Sequence, residues 1–180
     1  MDKNIQNFRD ANLEYDDYAY FIYGLIRQYK PKQVFEVGLG PHGHTAFSIL
    51  TALKENSVKD SKYYVLDYLP TDQAKEVLAS FPKESYELIV GDSAQSIFFE
   101  KVKGQIDIFL VDGNHTTQYY YQDTVNLLMN NRFNLESGII IYHDTQMMTV
   151  KLAIEKLKKD LDLDVFYIPK ISVAIAKIKY

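Results

Sequence analysis

The sequence predicts an α/β fold: a doubly wound sheet of five parallel strands closed by a C-terminal antiparallel hairpin, with helices on both faces. Three observations carry this expectation. Short β-rich runs alternate with amphipathic stretches at a spacing of roughly 25–30 residues, the pattern of βαβ units. The run Gly138–Tyr142 is almost wholly apolar, as a strand covered by helices on both faces must be. The last two β-rich runs, Val165–Ile168 and Ile171–Ile178, are separated only by Pro169-Lys170, too little chain for a parallel crossover, so they pair antiparallel.

Each element has its own signal. Tyr18, Phe21, Ile22, Leu25, Ile26 and Tyr29 follow the i, i+3, i+4, i+7 rule, so a helix ends near Lys30-Pro31. A strand, Val34–Val37, runs into glycines, and Ala46, Ile49, Leu50 and Leu53 mark the next helix. A second strand, Tyr63–Leu66, stops at Asp67. A helix over Asp72–Ser80 follows, then a strand Glu87–Val90 that stops at Gly91-Asp92, with another helix expected after it. The second half repeats the scheme. Ile106–Val111 is a strand, Tyr121, Val125, Leu128 and Met129 stripe a helix, Gly138–Tyr142 is the fifth strand, and Val150, Ala153, Ile154, Leu157 and Leu161 stripe the last helix.

With 180 residues and no linker, repeat or low-complexity segment, the chain reads as one domain over 1–180. Lys plus Arg is 20 and Asp plus Glu 24, a net charge of −4 that argues against a protein devoted to a nucleic-acid backbone. Cysteine is absent, which excludes disulfide scaffolds, thiolate metal sites and cysteine nucleophiles. The N-terminus has no apolar signal core, and the longest apolar runs are far too short to cross a bilayer. A soluble, cytoplasmic protein without a membrane role is the expectation.

In a doubly wound sheet, ligands bind outside the carboxyl ends of the strands. Those ends read Glu36 to Gly43, Asp67, Asp92-Ser93, Asp112-Gly113-Asn114-His115 and His143-Asp144-Thr145, so acidic residues converge on one edge. Converging carboxylates repel unless cations or hydroxyls meet them. The first loop, Gly38-Leu39-Gly40-Pro41-His42-Gly43, is a G-x-G-x-x-G between strand and helix, where glycines allow a tight turn and close approach to a ligand. Taken alone it suggests a dinucleotide. Glu36 points elsewhere, because a carboxylate there suits a ligand with a cationic end. Asp67 stands where a carboxylate accepts from a ribose diol, or else is a turn or capping aspartate. Asp92 accepts from an adenine amino group beside Ser93, or caps the following helix.

Together these segments resemble class I S-adenosylmethionine-dependent methyltransferases. Val34-Phe35-Glu36-Val37-Gly38-Leu39-Gly40 looks like their motif I. Asp67, Gly91-Asp92-Ser93 and the terminal hairpin are similar to that family too. Asp112-Gly113-Asn114-His115, with Tyr119 to Asp123 behind it, resembles a small O-methyltransferase-like subgroup with D-G-x-H after strand four, and Gly138–Thr145 resembles its G-x-I-I-x-H-D after strand five. The resemblance runs from about Val34 to the C-terminus. It implies a Rossmann-like sheet of order 3-2-1-4-5-7-6 and S-adenosylmethionine held by Glu36, Gly38, Gly40, Gly43, Asp67, Asp92 and Ser93. Glu36 would serve the amino-acid end of that cofactor. The chain departs from the pattern at His42 and His44, in positions usually small.

Asp112, His115, His143 and Asp144 are the catalytic candidates. Strands four and five are neighbours, so Asp112 and Asp144 can share a Mg²⁺ that lowers the pKa of an acceptor hydroxyl. Catechol-type O-methyltransferases resemble this arrangement, with an Asn where this chain has Thr145, a poorer ligand. In the metal-free alternative His115 or His143 is the general base. The acceptor expected by analogy is a small hydroxylated molecule, under a lid built from the segment 1–31, with Tyr15, Tyr18, Tyr20 and Tyr23, and from Tyr119 to Tyr121. A homo-oligomer is open. The rival readings are an NAD(P)-dependent oxidoreductase and a non-catalytic domain that binds a cofactor or partner.

Overall fold

The computed structural model describes residues 17–179. In chain order these are α1 (Asp17–Tyr29), β1 (Gln33–Val37), α2 (His44–Asn56), β2 (Lys62–Asp67), α3 (Asp72–Ala79), β3 (Tyr86–Val90), β4 (Ile108–Val111), α4 (Thr117–Met129), β5 (Ile139–Tyr142), α5 (Met148–Leu161), β6 (Leu163–Ile168) and β7 (Val173–Ile178). They form a seven-stranded sheet of order β3-β2-β1-β4-β5-β7-β6. The first five strands pair parallel, while β7 pairs antiparallel with both β5 and β6. The expected class and strand order are thus what the chain adopts.

Alternation along each strand sorts two cores. Phe35, Val37, Tyr64, Leu66, Phe109, Val111, Ile140 and Tyr142 face α4 and α5. Val34, Tyr63, Val65, Ile108, Leu110, Ile139 and Ile141 face α1, α2 and α3. This two-sided burial is why the parallel strands read as near-continuous apolar runs.

Four local expectations are corrected. No α-helix follows β3; a six-residue 3₁₀ stretch, Ser96–Lys101, makes the crossover and buries Phe99. Strand four starts at Ile108, because Ile106 leaves the ladder for an isolated bridge with Phe133. The hairpin connection is longer than Pro169-Lys170: Pro169–Ile171 form a 3₁₀ turn and Ser172 takes a left-handed φ of 55° before β7 begins. Met129, assigned to the apolar stripe of α4, is 73% exposed, because α4 ends there and Asn130 caps it.

What positions the site is a continuation of the parallel ladder one residue past the strands. Gly38 N–H donates to Leu66 O at 2.9 Å, Asp112 N–H to Val37 O at 2.9 Å, His143 N–H to Val111 O at 3.2 Å and Gly91 N–H to Asp67 O at 3.0 Å. These bonds set Asp67, Gly38, Asp112 and His143 side by side along one edge. α1 is held to α2: Asn56 donates to Ile26 O, Arg27 to Asn56, and Tyr23 to Glu55.

Candidate active site

Two hollows lie along this edge. The larger, of about 580 Å³, is lined by Gly38, Gly40, Asp67, Asp92, Ser93, Asp112, Gly113, Asn114, His115, Tyr68 and Tyr119 among others. The smaller, of about 150 Å³, lies between the glycine loop and α1, and Tyr18, Gly43, His44, Asp112 and His143 are in its wall. Asp112 borders both.

The glycine loop is built by need. Gly38 has φ 93°, and a Cβ there would stand 2.2 Å from the Asp112 carbonyl oxygen, so only glycine lets β1 and β4 end side by side. Gly43 has φ 67°, and a Cβ there would stand 3.3 Å from Ala74 and Val77 on α3, so the missing side chain lets the start of α2 pack close to α3. Gly43 therefore lines the smaller hollow and packs helices rather than walling the larger one. His42 lies 2.9 Å from Gln73 and stacks on His44, and both line the smaller hollow with Asp112 and His143.

Asp67 is no helix cap, since Thr71 caps α3. Its two carboxylate oxygens accept from Leu39 N–H and Leu69 N–H, each at 2.8 Å, which ties the glycine loop to the end of β2 while the group still lines the larger hollow. Asp92 does not cap a helix either. It accepts from Ala94 N–H at 3.0 Å in a tight turn, and Tyr119 approaches it across the hollow. Ser93 is buried, and its carbonyl accepts from Asn126 of α4 at 2.8 Å.

Glu36 lies beneath the glycine loop, fully buried on the α1 side of β1, and is absent from the wall of the larger hollow. Oε2 accepts a short hydrogen bond from the Tyr63 hydroxyl, while Oε1 has no hydrogen-bond partner among the described residues. Burial drives its pKa well above the usual carboxylate range; the Tyr63 bond opposes this, and the nearby charges of Asp112 and Asp67 add to it.

At the far end of the row, four side chains form one network. His143 Nδ1 is 3.0 Å from Asp112 Oδ1 and 3.7 Å from Asp144 Oδ2. His115 Nε2 is 2.7 Å from Asp144 Oδ2 and 3.8 Å from Asp112 Oδ1. Burial by itself would raise the Asp112 pKa, but hydrogen bonds from His115 and His143 outweigh it and hold the carboxyl below its ordinary value. The bond to Asp112 raises the pKa of His115 against its partial burial, and Asp144 adds to the rise. His115 precedes α4, which Thr116 caps by accepting from Tyr119 N–H. Thr145 is buried and donates its backbone N–H to Ser172 O at 3.0 Å. Asp112, His143 and Asp144 each bring one ligand atom within 4.8 Å of the others, so His143 joins the expected carboxylate pair as a third donor.

Two participants go beyond what the sequence reading assigned them. Tyr18 was one of several lid tyrosines; in the structure its ring stacks on His143, centroids 3.7 Å apart and planes 8° apart. Among the other tyrosines, Tyr119 lines the larger hollow, Tyr120 is buried with its hydroxyl donating to His143 O at 3.2 Å, and Tyr121 turns away to Asp160. Tyr20 is exposed, Tyr23 bonds Glu55, and Tyr15 lies outside the described residues. Asp123 is the second. It is fully buried behind Gly113 and Ser93, neither oxygen makes a well-formed hydrogen bond among the described residues, and burial lifts its pKa to about 7 against the opposing Ser93 hydroxyl. The signal was an Asp on the buried stripe of α4, three residues after Tyr120 and four before Leu127.

Among the described residues, no helix is long and apolar enough to cross a membrane. No curated protein matches the chain. Among solved structures, a methyltransferase from Podospora anserina, PaMTH1, bound to SAH, is similar at 16% identity with a TM-score of 0.79, covering 100% of this chain and 89% of that one. The O-methyltransferase TomG from Streptomyces achromogenes, involved in tomaymycin synthesis and in complex with SAM, is similar at 12% identity with a TM-score of 0.71, over 100% of this chain and 91% of that one. An O-methyltransferase from Bacillus cereus in complex with SAH is similar at 14% identity and 0.68, over 98% and 89%. At these identities the likeness is one of fold. A family model described as a methyltransferase domain matches residues 35–145, from β1 through the glycine loop and both acidic strand ends to Thr145. The chain therefore belongs to the methyltransferase domain family and is a methyltransferase.

Proposed function

We propose that the enzyme transfers a methyl group from S-adenosylmethionine to a hydroxyl of a small molecule, with His143 as the general base. The observation that carries this reading is the shared wall at Asp112. On one side lies a hollow whose volume suits a small-molecule ligand, rimmed by acceptors for a polar, cationic one; on the other lies an imidazole held by the same carboxylate.

The donors fit the cofactor. Asp67 takes the ribose hydroxyls, Asp92 and Ser93 the adenine end, and Gly38 and Gly40 the close backbone approach, while Gly43 borders the side where the methyl acceptor enters. Glu36, beneath the loop, would serve the cationic amino-acid end through Oε1, which has no hydrogen-bond partner among the described residues, once that positive charge lowers the carboxyl's raised pKa. Bound there, the cofactor supplies an electrophilic methyl group on a sulfonium. Asp112 accepts from His143 Nδ1–H, the tautomer in which Nε2 is the basic nitrogen that takes the acceptor's hydroxyl proton. With the cofactor bound, the acceptor oxygen would take the methyl group from the sulfonium sulfur while its hydroxyl proton passes to His143. His115 bridges Asp144 and Asp112, keeping the second carboxylate from repelling the nascent alkoxide. Alignment of the two reactants supplies most of the acceleration.

The three-donor cluster of Asp112, His143 and Asp144 supports a second reading, a divalent cation. Two carboxylates suit Mg²⁺ or Mn²⁺, and the imidazole nitrogen tips the set toward the transition ion of the two. A cation held there lowers the pKa of an acceptor hydroxyl.

Calorimetric titration with S-adenosylmethionine, S-adenosylhomocysteine and NAD⁺ tests the cofactor. Binding of the adenosyl ligands alone is expected, and binding of NAD⁺ alone defeats the proposal. Release of S-adenosylhomocysteine with catechol, caffeate and simple sugars, in EDTA and with added Mg²⁺ or Mn²⁺, then separates the two mechanisms. Turnover in EDTA that is lost in His143→Gln is the result expected for a base; turnover strictly dependent on the ion assigns the cluster to a metal.

A further inference from the structure

We infer that Asp123 is a positioning residue for the adenine end of the larger hollow: from behind the wall it turns the Ser93 hydroxyl so that Oγ offers a lone pair to a purine amino group. This deepens the proposed cofactor reading and rests on it for placing the adenine at Asp92 and Ser93.

Two buried polar side chains of α4 converge on one residue. Asn126, 2% exposed, donates from Nδ2 to the Ser93 carbonyl at 2.8 Å. Asp123 stands three residues earlier, one helical turn away on the same face of α4. It is fully buried, and its Oδ2 would lie 3.8 Å from a Cβ placed on Gly113, so the carboxyl sits directly behind that glycine. Ser93 and Gly113 both line the larger hollow, whereas Asp123 and Asn126 stand behind it.

A buried carboxyl without a partner is costly, and neither Asp123 oxygen has a hydrogen-bond partner among the described residues. The groups around it narrow what can use it. Asp92, just beyond β3, adds only like-charge repulsion, while the Ser93 hydroxyl is near enough to favour the charged carboxyl. The two are close but not aligned as a bonded pair.

A ligand amino group supplies what is missing. When it donates to Ser93 Oγ from the hollow, the hydroxyl proton must point the other way, and the Asp123 carboxylate is there to accept it. Each bond in that chain polarises the next. Asn126 holds the Ser93 backbone, so the hydroxyl turns and the loop does not. A ring carbonyl in place of the amino group brings lone pair against lone pair. Ser93 could then pair with it only by turning its proton into the hollow, which leaves the carboxylate buried and unmatched. Ser93 backed by Asp123 thus selects adenine over its deaminated counterpart.

Calorimetry on the full chain at pH 8, above the value of about 7 to which burial lifts the Asp123 pKa, tests this by a ratio of affinities. The probes are S-adenosylhomocysteine and its deaminated analogue, S-inosylhomocysteine. The wild type is expected to favour the adenine ligand. Asp123→Ala is expected to lower that preference about tenfold or more, chiefly through weaker binding of S-adenosylhomocysteine. Asp123→Asn keeps an uncharged acceptor and is expected to lose less. Ser93→Ala is expected to lose the preference as well, and adding Asp123→Ala to it is expected to change the ratio no further, because the two act through one bond. Equal weakening of both ligands in Asp123→Ala, or a further fall of the ratio in the double variant, means a merely structural role and overturns the inference. Where Asp123→Ala does not fold, Asp123→Asn decides, and an unchanged ratio overturns it. A wild type that binds both ligands equally overturns it too and leaves the cofactor reading standing; a wild type that binds neither overturns both.

Discussion

Asp112 Oδ1 lies 3.0 Å from His143 Nδ1 across the ends of adjacent parallel strands, 31 residues apart in sequence. The pairing follows from register: Val111 and Tyr142 are partners in the ladder, so the residues after them leave the sheet on the same side. One carboxylate thereby sets the tautomer of the imidazole and borders the larger hollow at once.

Asp112→Asn is expected to lower turnover by roughly 10²–10⁴-fold, the range in which a positioned general base contributes. Asparagine can offer its amide group to Nδ1 and so stabilise the wrong tautomer. Binding of S-adenosylhomocysteine is expected to change far less, which calorimetry on the same preparation checks.

Asp67→Ala removes the acceptor for both Leu39 N–H and Leu69 N–H. Two hydrogen bonds to a charged group are worth about 1.5–3 kcal/mol each at most, so chemical denaturation is expected to register a loss of a few kcal/mol. Affinity for S-adenosylhomocysteine is expected to fall by about tenfold or more, because the glycine loop loses its tether and the ribose its acceptor. Asp67→Asn, which keeps one acceptor oxygen, is expected to be milder on stability than on affinity.

Gly38→Ala places a methyl group 2.2 Å from the Asp112 carbonyl oxygen at a φ of 93°. Backbone rather than a flexible side chain is in the way, so the ends of β1 and β4 must separate. The expected cost is on the order of 3 kcal/mol or more, measured as a drop in thermal midpoint. Gly40→Ala is expected to be less damaging to packing, since nothing lies within 4 Å of the added carbon.

Asp123 supplies a pH dependence whose sign is fixed. Its pKa is about 7 in the folded chain against 3.8 for a free side chain, because burial disfavours the charge. The stability tied to its protonated form is complete below about pH 4 and is lost as pH rises to about 7, by roughly 4 kcal/mol. Asp123→Asn, neutral throughout, is expected to match the wild type near pH 4 and to be more stable by a few kcal/mol at pH 8. Urea unfolding of both proteins across that window measures the difference, and parallel curves would mean that Asp123 is ionised in the fold.

Much of this was legible in the residues. The alternation of apolar runs with helical stripes is local, so it located all five parallel strands to within a few residues, and the short connection after β6 was enough to predict an antiparallel last pair. The acidic strand ends could be named because a parallel sheet must put them on one edge. Local pattern failed where a short segment had a choice: the crossover after β3 closed as a 3₁₀ stretch around the buried Phe99, and Asp92 made a turn instead of a cap.

The residue pattern by itself thus determined the alternation of strands and helices, the glycine loop and which side chains stand at the edge, while the strand order came with the family resemblance. Only the tertiary structure decided how they meet. Glu36 went under the loop to Tyr63, His143 turned to Asp112 rather than into the sheet, Tyr18 covered it, and Asp123 was enclosed behind Gly113. Each of these depends on torsions and on contacts between segments far apart in the chain, where a shift of one ångström changes a hydrogen bond into none. Periodicity records only which face a residue is on.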